Sequence, residues 1–176
     1  MCKGRGLVLT RNECYWADDT SHETIKKENN LRDDRTDNLL IVELFPRGKK
    51  FLSENHNDWE IVFENKTSWF IGNEHEITDR IYGYLFSVVF AKVRETGIKK
   101  LDLSYLKYTE LPDFENIKIG DVDCSKNKLT SLSLPNVTGY VNCSDNQLTS
   151  LSLPNATGNV NCSNNAKEFT EKDWKK

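Results

Sequence analysis

Nineteen residues recur almost unchanged in the second half of this chain, and that repeat constrains the fold more than any other feature. Val122-Asp-Cys-Ser-Lys-Asn-Lys-Leu-Thr-Ser-Leu-Ser-Leu-Pro-Asn-Val-Thr-Gly-Tyr140 runs without a gap into Val141-Asn-Cys-Ser-Asp-Asn-Gln-Leu-Thr-Ser-Leu-Ser-Leu-Pro-Asn-Ala-Thr-Gly-Asn159, and the two differ at five positions. A third copy starts at Val160 and stops after Asn165, and a degenerate earlier one runs from Leu101 to Leu111, offset by 21 residues. A period this short marks a repeat array, in which no unit buries its apolar side chains alone and stacking on its neighbours supplies the core.

The apolar positions say how each copy is built. Val-x-Cys alternates, as a short strand with one face inward does. Leu129, Leu132 and Leu134, and then Leu148, Leu151 and Leu153, fill the interior. Pro135 and Pro154 end that side, and Gly139 and Gly158 are expected to permit the turn back to the next strand. The unit resembles the leucine-rich repeats of the Cys-Ser-x-Asn-x-Leu-Thr-Ser-Leu type found in bacterial and bacteriophage proteins, over about 65 residues. That resemblance implies a short β solenoid, with Asn127, Asn146 and Asn165 forming a ladder of side-chain bonds to the backbone of adjacent turns. Nineteen residues leave no room for a convex helix, so extended structure is expected on both sides.

Three of the five cysteines, Cys124, Cys143 and Cys162, follow the repeat. Stacking would set their sulfurs in a row roughly 5 Å apart, too far for disulfides and the wrong shape for a tetrahedral zinc site. They are expected to be reduced and to act as small apolar filler. The tail Ala166 to Trp174 leaves the pattern, and Phe169 and Trp174 are expected to cover the open end.

The first part of the chain reads as a small α+β domain. Gly6–Thr10 and Cys14–Trp16 suggest a hairpin turning at Arg11 to Glu13. Thr20-Ser-His-Glu23 has the form of a capping box opening a helix to about Asn30, and Asn73-Glu-His-Glu76 is a second. Asn38–Phe45, closed by Pro46, and Trp59–Glu64 suggest strands. After the second box, Ile77, Ile81, Leu85, Val88 and Val93 form a helical stripe that ends at Gly97. The expected organisation is therefore an α+β fold with a domain over residues 1–98, a leucine-rich-repeat β solenoid over 99–165 and a C-terminal cap over 166–176. The opening Met-Cys-Lys-Gly, the Ser-His-Glu helix start, Val-Glu-x-x-Pro and the paired tryptophans make residues 1–70 resemble small bacteriophage proteins of unassigned function.

Charge excludes one class of partner. Residues 1–100 carry 16 Lys and Arg against 17 Asp and Glu, and residues 101–176 carry 8 against 10. Neither half has the basic excess of a non-specific nucleic-acid binder. The N-terminal apolar run of three residues is too short for a signal peptide, and Ile81 to Val93 is short of the ~20 residues of a membrane span. A cytoplasmic protein without membrane contact is expected.

Catalytic signatures are few. Cys2 would become a terminal nucleophile if the initiator Met were removed, with His22 as a partner base, but His22-Glu23 reads more simply as a solvated pair in the first turn of a helix. His56 lies in a polar loop and His75 at a helix start. There is no His-x-x-x-His, no Cys-x-x-Cys and no carboxylate–His cluster close in sequence, so no metal or cofactor is expected. The reading these residues favour is a non-enzymatic protein-binding protein, and the resemblance implies a phage-encoded inhibitor of a host protein or complex, such as an anti-CRISPR-like antagonist of bacterial defence. Its expected contact surface is Asp123, Ser125, Asn142, Ser144, Asn161 and Ser163, outward by alternation, with Trp69 and Asp58 on the N-terminal domain. The alternatives are a small enzyme using Cys2 and His22, and a structural module that dimerises through its repeats.

Overall fold

In a computed structural model, residues 5–17, 21–32 and 39–175 are described, and the chain divides into two compact units, Met1–Thr96 and Gly97–Lys176. The overall class is α+β. The boundary falls at Gly97, whose positive φ of 78° ends the preceding helix as the sequence suggests.

The first unit is an antiparallel sheet covered on both faces. Strands β1 (Arg5–Leu9), β2 (Cys14–Tyr15), β3 (Leu40–Pro46) and β4 (Trp59–Phe63) lie in the order β2-β1-β3-β4. Register sorts the side chains: Val8 pairs with Ile41 and Tyr15, whereas Leu7 pairs with Val42, and Val42 with Phe63. Helix α1 (His22–Glu28) covers the Val8 face, where Ile25 joins Val8, Ala17 and Leu39 in one buried cluster. The opposite face carries Trp59 and Phe63 and receives the aromatic rings of the later chain, with Trp59 5.7 Å from Phe90 and Phe63 4.5 Å from Phe70.

Both expected capping boxes change on inspection. The N-cap of α1 is Ser21, with no side-chain cap bond, and Thr20 lies outside the described residues. Asn73 caps α2 (Glu74–Tyr84) without accepting from it, because its amide donates backward to the Trp69 carbonyl at 3.1 Å. The helical stripe also needs a correction. Val88 is 47 % exposed and Val89 is buried in its place. One buried stripe steps by four residues, at Ile77, Ile81, Leu85, Val89 and Val93, with Tyr82 and Phe90 buried beside it. A four-residue step on an α-helix of 3.6 residues per turn drifts by about 40° each time, so such a stripe would wind off the sheet. A π turn at Leu85–Val89, between α2 and α3 (Phe90–Thr96), widens the helix locally and holds the stripe on one face.

The second unit stacks the repeats in parallel register. Strands β5 (Ile98–Asp102), β6 (Ile119–Asp123), β8 (Val141–Asn142) and β10 (Val160–Asn161) form one sheet in the order β10-β8-β6-β5. Leu101 pairs with Val122, Val122 with Val141 and Val141 with Val160, which reproduces the offsets of 21, 19 and 19 residues. On the other side β7 (Ser131–Ser133) pairs with β9 (Ser150–Ser152), also 19 residues apart. Leu129, Leu132, Leu134, Leu148, Leu151 and Leu153 are buried between them with Cys124 and Cys143. Asn146 is 8 % exposed, donates to the carbonyls of Cys124, Cys143 and Ser144, and accepts from Leu129 N–H at 3.0 Å. Asn127 and Asn165 repeat this arrangement above and below.

The glycines serve a different purpose from the one expected. Gly139 and Gly158 do not have positive φ. A Cβ on Gly158 would lie 2.6 Å from the Tyr140 nitrogen and 2.7 Å from the Gly139 carbonyl carbon, so the residue is small because successive copies touch there backbone to backbone. The tail ends in α4 (Glu171–Trp174), opened by a Thr170–Asp173 capping box, and the Trp174 carbonyl accepts from Leu153 N–H at 2.7 Å. Phe169 and Trp174 are half-buried. No helix among the described residues is long and apolar enough to cross a membrane.

Candidate functional site

The register of the parallel sheet places one polar side chain directly over the next: Asp102, Asp123, Asn142 and Asn161 are successive partners. Each is followed two residues on by a serine, and each side-chain oxygen accepts from that serine's N–H. In the last three copies the serine hydroxyl donates to the same oxygen, at 2.6, 2.9 and 2.9 Å. These are Asx turns, a local bond that short polar side chains make where a chain leaves a strand. Asn142 also donates to the second Asp123 oxygen at 3.0 Å, tying one copy to the next.

This geometry revises the expected outward row. Ser125 and Ser144 are buried, at 5 % and 6 % exposure, because their hydroxyls turn back onto Asp123 and Asn142. Asp123 and Asn142 are half-buried, and of the six only Asn161 and Ser163 are exposed. Strict in–out alternation fails since the chain turns immediately after the cysteine and the serine no longer belongs to the strand. Beside the row, Tyr140 is 38 % exposed and Tyr105 52 %, the latter with the Lys126 ammonium 4.7 Å from its ring. Sequence periodicity did not single out either tyrosine, since each occupies a position that varies between copies.

Asp58 and Trp69 belong to the first unit. Asp58 accepts from the Ser53 hydroxyl, its carbonyl accepts from Arg47 and Gly48 N–H, and its side chain occupies the space a Cβ on Gly48 would need. It holds the β3–β4 connection together. Trp69 is half-buried, with the Arg80 guanidinium 5.8 Å over its ring.

The expected solvated pair at His22 is wrong. Its ring is 5 % exposed, and Nε2 donates to the Val42 carbonyl at 3.0 Å, while Nδ1 lies 3.7 Å from Glu64 Oε2. Glu43, 9 % exposed, completes a group of three whose possible donor atoms all lie within 4.8 Å of one another. Sequence reasoning found no carboxylate–His cluster because the three residues are 21 apart in sequence and meet only through strand pairing. Cys2 lies outside the described residues.

The other thiols and imidazoles are poorly suited to chemistry. Burial pushes the Cys124 thiol well above its ordinary range and Cys143 up to about 12, with smaller rises at Cys162 and Cys14 from the same cause. A thiol must ionise to act as a nucleophile, so these four are held in the inert form at neutral pH. His56 stacks on Tyr82 at 4.0 Å, and His75 pairs with Asp79 on an exposed helical turn. No protein-family model matches the chain, and neither a curated protein nor a solved structure matches it.

Proposed function

We propose that this chain is a non-enzymatic protein-binding protein whose second unit is a short leucine-rich-repeat solenoid presenting the ladder of Asx turns to a partner. The observation that carries the reading is the ladder itself. Asp123, Asn142 and Asn161 stand in register on a stacked sheet and are held by hydrogen bonds within the chain. Such a row is rigid before it meets a partner, so little side-chain freedom is lost on contact. The raised thiols point away from cysteine catalysis among the described residues.

In its sharpest form the proposal is a phage-encoded protein acting in the bacterial cytoplasm, where it inhibits or redirects a host protein or complex such as a CRISPR defence assembly. This part rests on the likeness of the repeat type and of residues 1–70 to phage proteins.

The test begins with capture from bacterial lysate and mass spectrometry, then measures affinity for the captured partner. Asn161→Arg and Tyr140→Ala, both exposed or nearly so, should lower affinity at least about tenfold with folding intact, since an interface centre tolerates an unpaired charge or a lost aromatic anchor badly. Asp123→Arg is a poorer probe, because it would remove the acceptor of three bonds. Unchanged affinity in both surface variants, with loss in Trp69→Ala, would move the interface to the first unit. Capture of no stoichiometric partner, together with a reactive Cys2 thiol, would favour the enzyme instead.

A further inference from the structure

We propose that His22, Glu43 and Glu64 form a binding site for a single divalent transition-metal ion, Zn²⁺ or Mn²⁺, between α1 and the sheet. The site is separate from the ladder, and it does not depend on the protein-binding reading.

Three elements supply one donor each: the first residue of α1, the middle of β3, and the residue after β4. Glu43 pairs with Gly6 on one side, a neighbour with no side chain to crowd the carboxylate, and with Val62 on the other. Two of the three donors are at least nine-tenths buried, an unusual place for a glutamate and a histidine to meet a second glutamate. Two carboxylates held this close, one of them buried, favour a cation between them.

The orientation of His22 favours the cation. The Val42 carbonyl can only accept, so Nε2 donates to it, and Nδ1 is the ring nitrogen that faces the Glu64 carboxylate. A metal-binding imidazole is usually fixed in this way, with its far N–H donating to a carbonyl. The Nδ1–Oε2 separation of 3.7 Å is too long for a hydrogen bond. It is close to the edge of a coordination polyhedron with metal–ligand bonds of about 2.0–2.2 Å, which is roughly 3–3.5 Å, so small side-chain movements would close the site. One imidazole nitrogen with carboxylate oxygens suits Zn²⁺ or Mn²⁺ rather than a soft ion that prefers thiolates. Glu64 is the open side, with 46 % of its side chain exposed, so water or an outside group would complete the coordination there. The ion would also pin α1, a helix of 7 residues too short to be stable in isolation, onto the sheet.

The experiment uses the full chain, stripped with EDTA and titrated calorimetrically with Mn²⁺ and then with Zn²⁺. A single site per chain is expected for each, with slower backbone hydrogen exchange in residues 22–28 once the ion is bound. Glu64→Gln, half-exposed and therefore able to fold, should weaken binding by at least about tenfold, the lower end of what even an outer-shell change costs. Glu43→Gln should do the same if folded, and Cys162→Ser and His75→Ala should change nothing. The proposal is overturned if neither ion binds at millimolar concentration, or if binding survives Glu64→Gln. It is equally overturned if Zn²⁺ binding is lost only in Cys162→Ser, which would place the ion on the cysteine row.

Discussion

The two units of this chain are stabilised in opposite ways. In the second, one interaction is written once and used repeatedly: the asparagine ladder, the Asx turn and the close glycine contact each return after 19 residues. In the first, each contact occurs once. The Asp58 knot, the Arg80 guanidinium donating to the Thr10 and Arg11 carbonyls, and the π turn at Leu85–Val89 have no counterparts elsewhere among its described residues. A repeated contact predicts its own copies, and a single contact predicts nothing beyond itself. The comparison implies that damage in the second unit should scale with position in the stack, whereas damage in the first should depend only on local surroundings.

The largest expected effect tests that scaling. Asn146→Ala takes from the Leu129 N–H its acceptor in the middle of the stack, and takes one of two donors from each of the carbonyls of Cys124, Cys143 and Ser144. One buried N–H left unbonded, with three carbonyl bonds lost beside it, should destabilise by roughly 2–3 kcal/mol. Asn165→Ala removes the same set of bonds at the end of the stack, where the side chain is half-buried and water can replace them, so about 1 kcal/mol is expected. Urea unfolding of both variants decides the matter, and equal losses would mean that position in the stack does not matter.

Next in size is Gly158→Ala. The added methyl would lie within 3 Å of backbone atoms of Gly139 and Tyr140, neither of which can yield without shifting a whole copy. Overpacking of this kind costs typically 1–3 kcal/mol. A neutral result by thermal or chemical denaturation would show that the contact between copies is softer than the geometry implies.

Much of the second unit was legible because the 19-residue period carries both register and face: the pairing of Val122, Val141 and Val160 and the burial of Cys124 and Cys143 follow from it directly. What it hid was the serine that turns back, since alternation holds only while the chain remains a strand. In the first unit the strands and helices were legible from local patterning, but their meeting was not. His22, Glu43 and Glu64 sit on three elements with no short-range motif linking them, and only the β1–β3–β4 pairing brings them together. An ideal 3.6-residue period puts Val88 in the core, whereas the wider turn at Leu85–Val89 buries Val89.

A third test uses the thiols, whose ordinary state differs between the folded and unfolded chain. Unfolded cysteines ionise near about 8.5. Burial raises Cys143 to about 12 and Cys124 well above its usual range. Their contribution to stability is therefore complete below the unfolded value and falls as pH rises above it, since the unfolded chain then releases protons the folded one keeps. Each thiol should steepen the loss by about 1.4 kcal/mol per pH unit in that window. Comparing the pH dependence of unfolding between the wild type and Cys143→Ala isolates one thiol's share, and identical slopes would contradict its burial. A thiol reagent should reach half-buried Cys162 before Cys124 or Cys143 in the folded protein, an order that reversal of the stack would invert.

The smallest expected effect has the opposite sign and lies in the first unit. Gly83 is exposed in α2, one residue before its end, and a Cβ there would meet nothing within 4 Å. Its backbone is helical and its φ is not positive, so alanine fits without strain. Glycine in a helix costs freedom on folding that alanine does not, which gives Gly83→Ala an expected gain of roughly 0.5–1 kcal/mol. The same substitution should thus stabilise one unit and destabilise the other, because Gly158 marks a contact that the stack requires and Gly83 marks none. Melting curves of the two variants side by side measure the difference. A loss at Gly83 comparable to that at Gly158 would mean that the π turn beginning two residues later depends on a flexible approach, and that this helix, like the repeats, is tuned along its length rather than at isolated points.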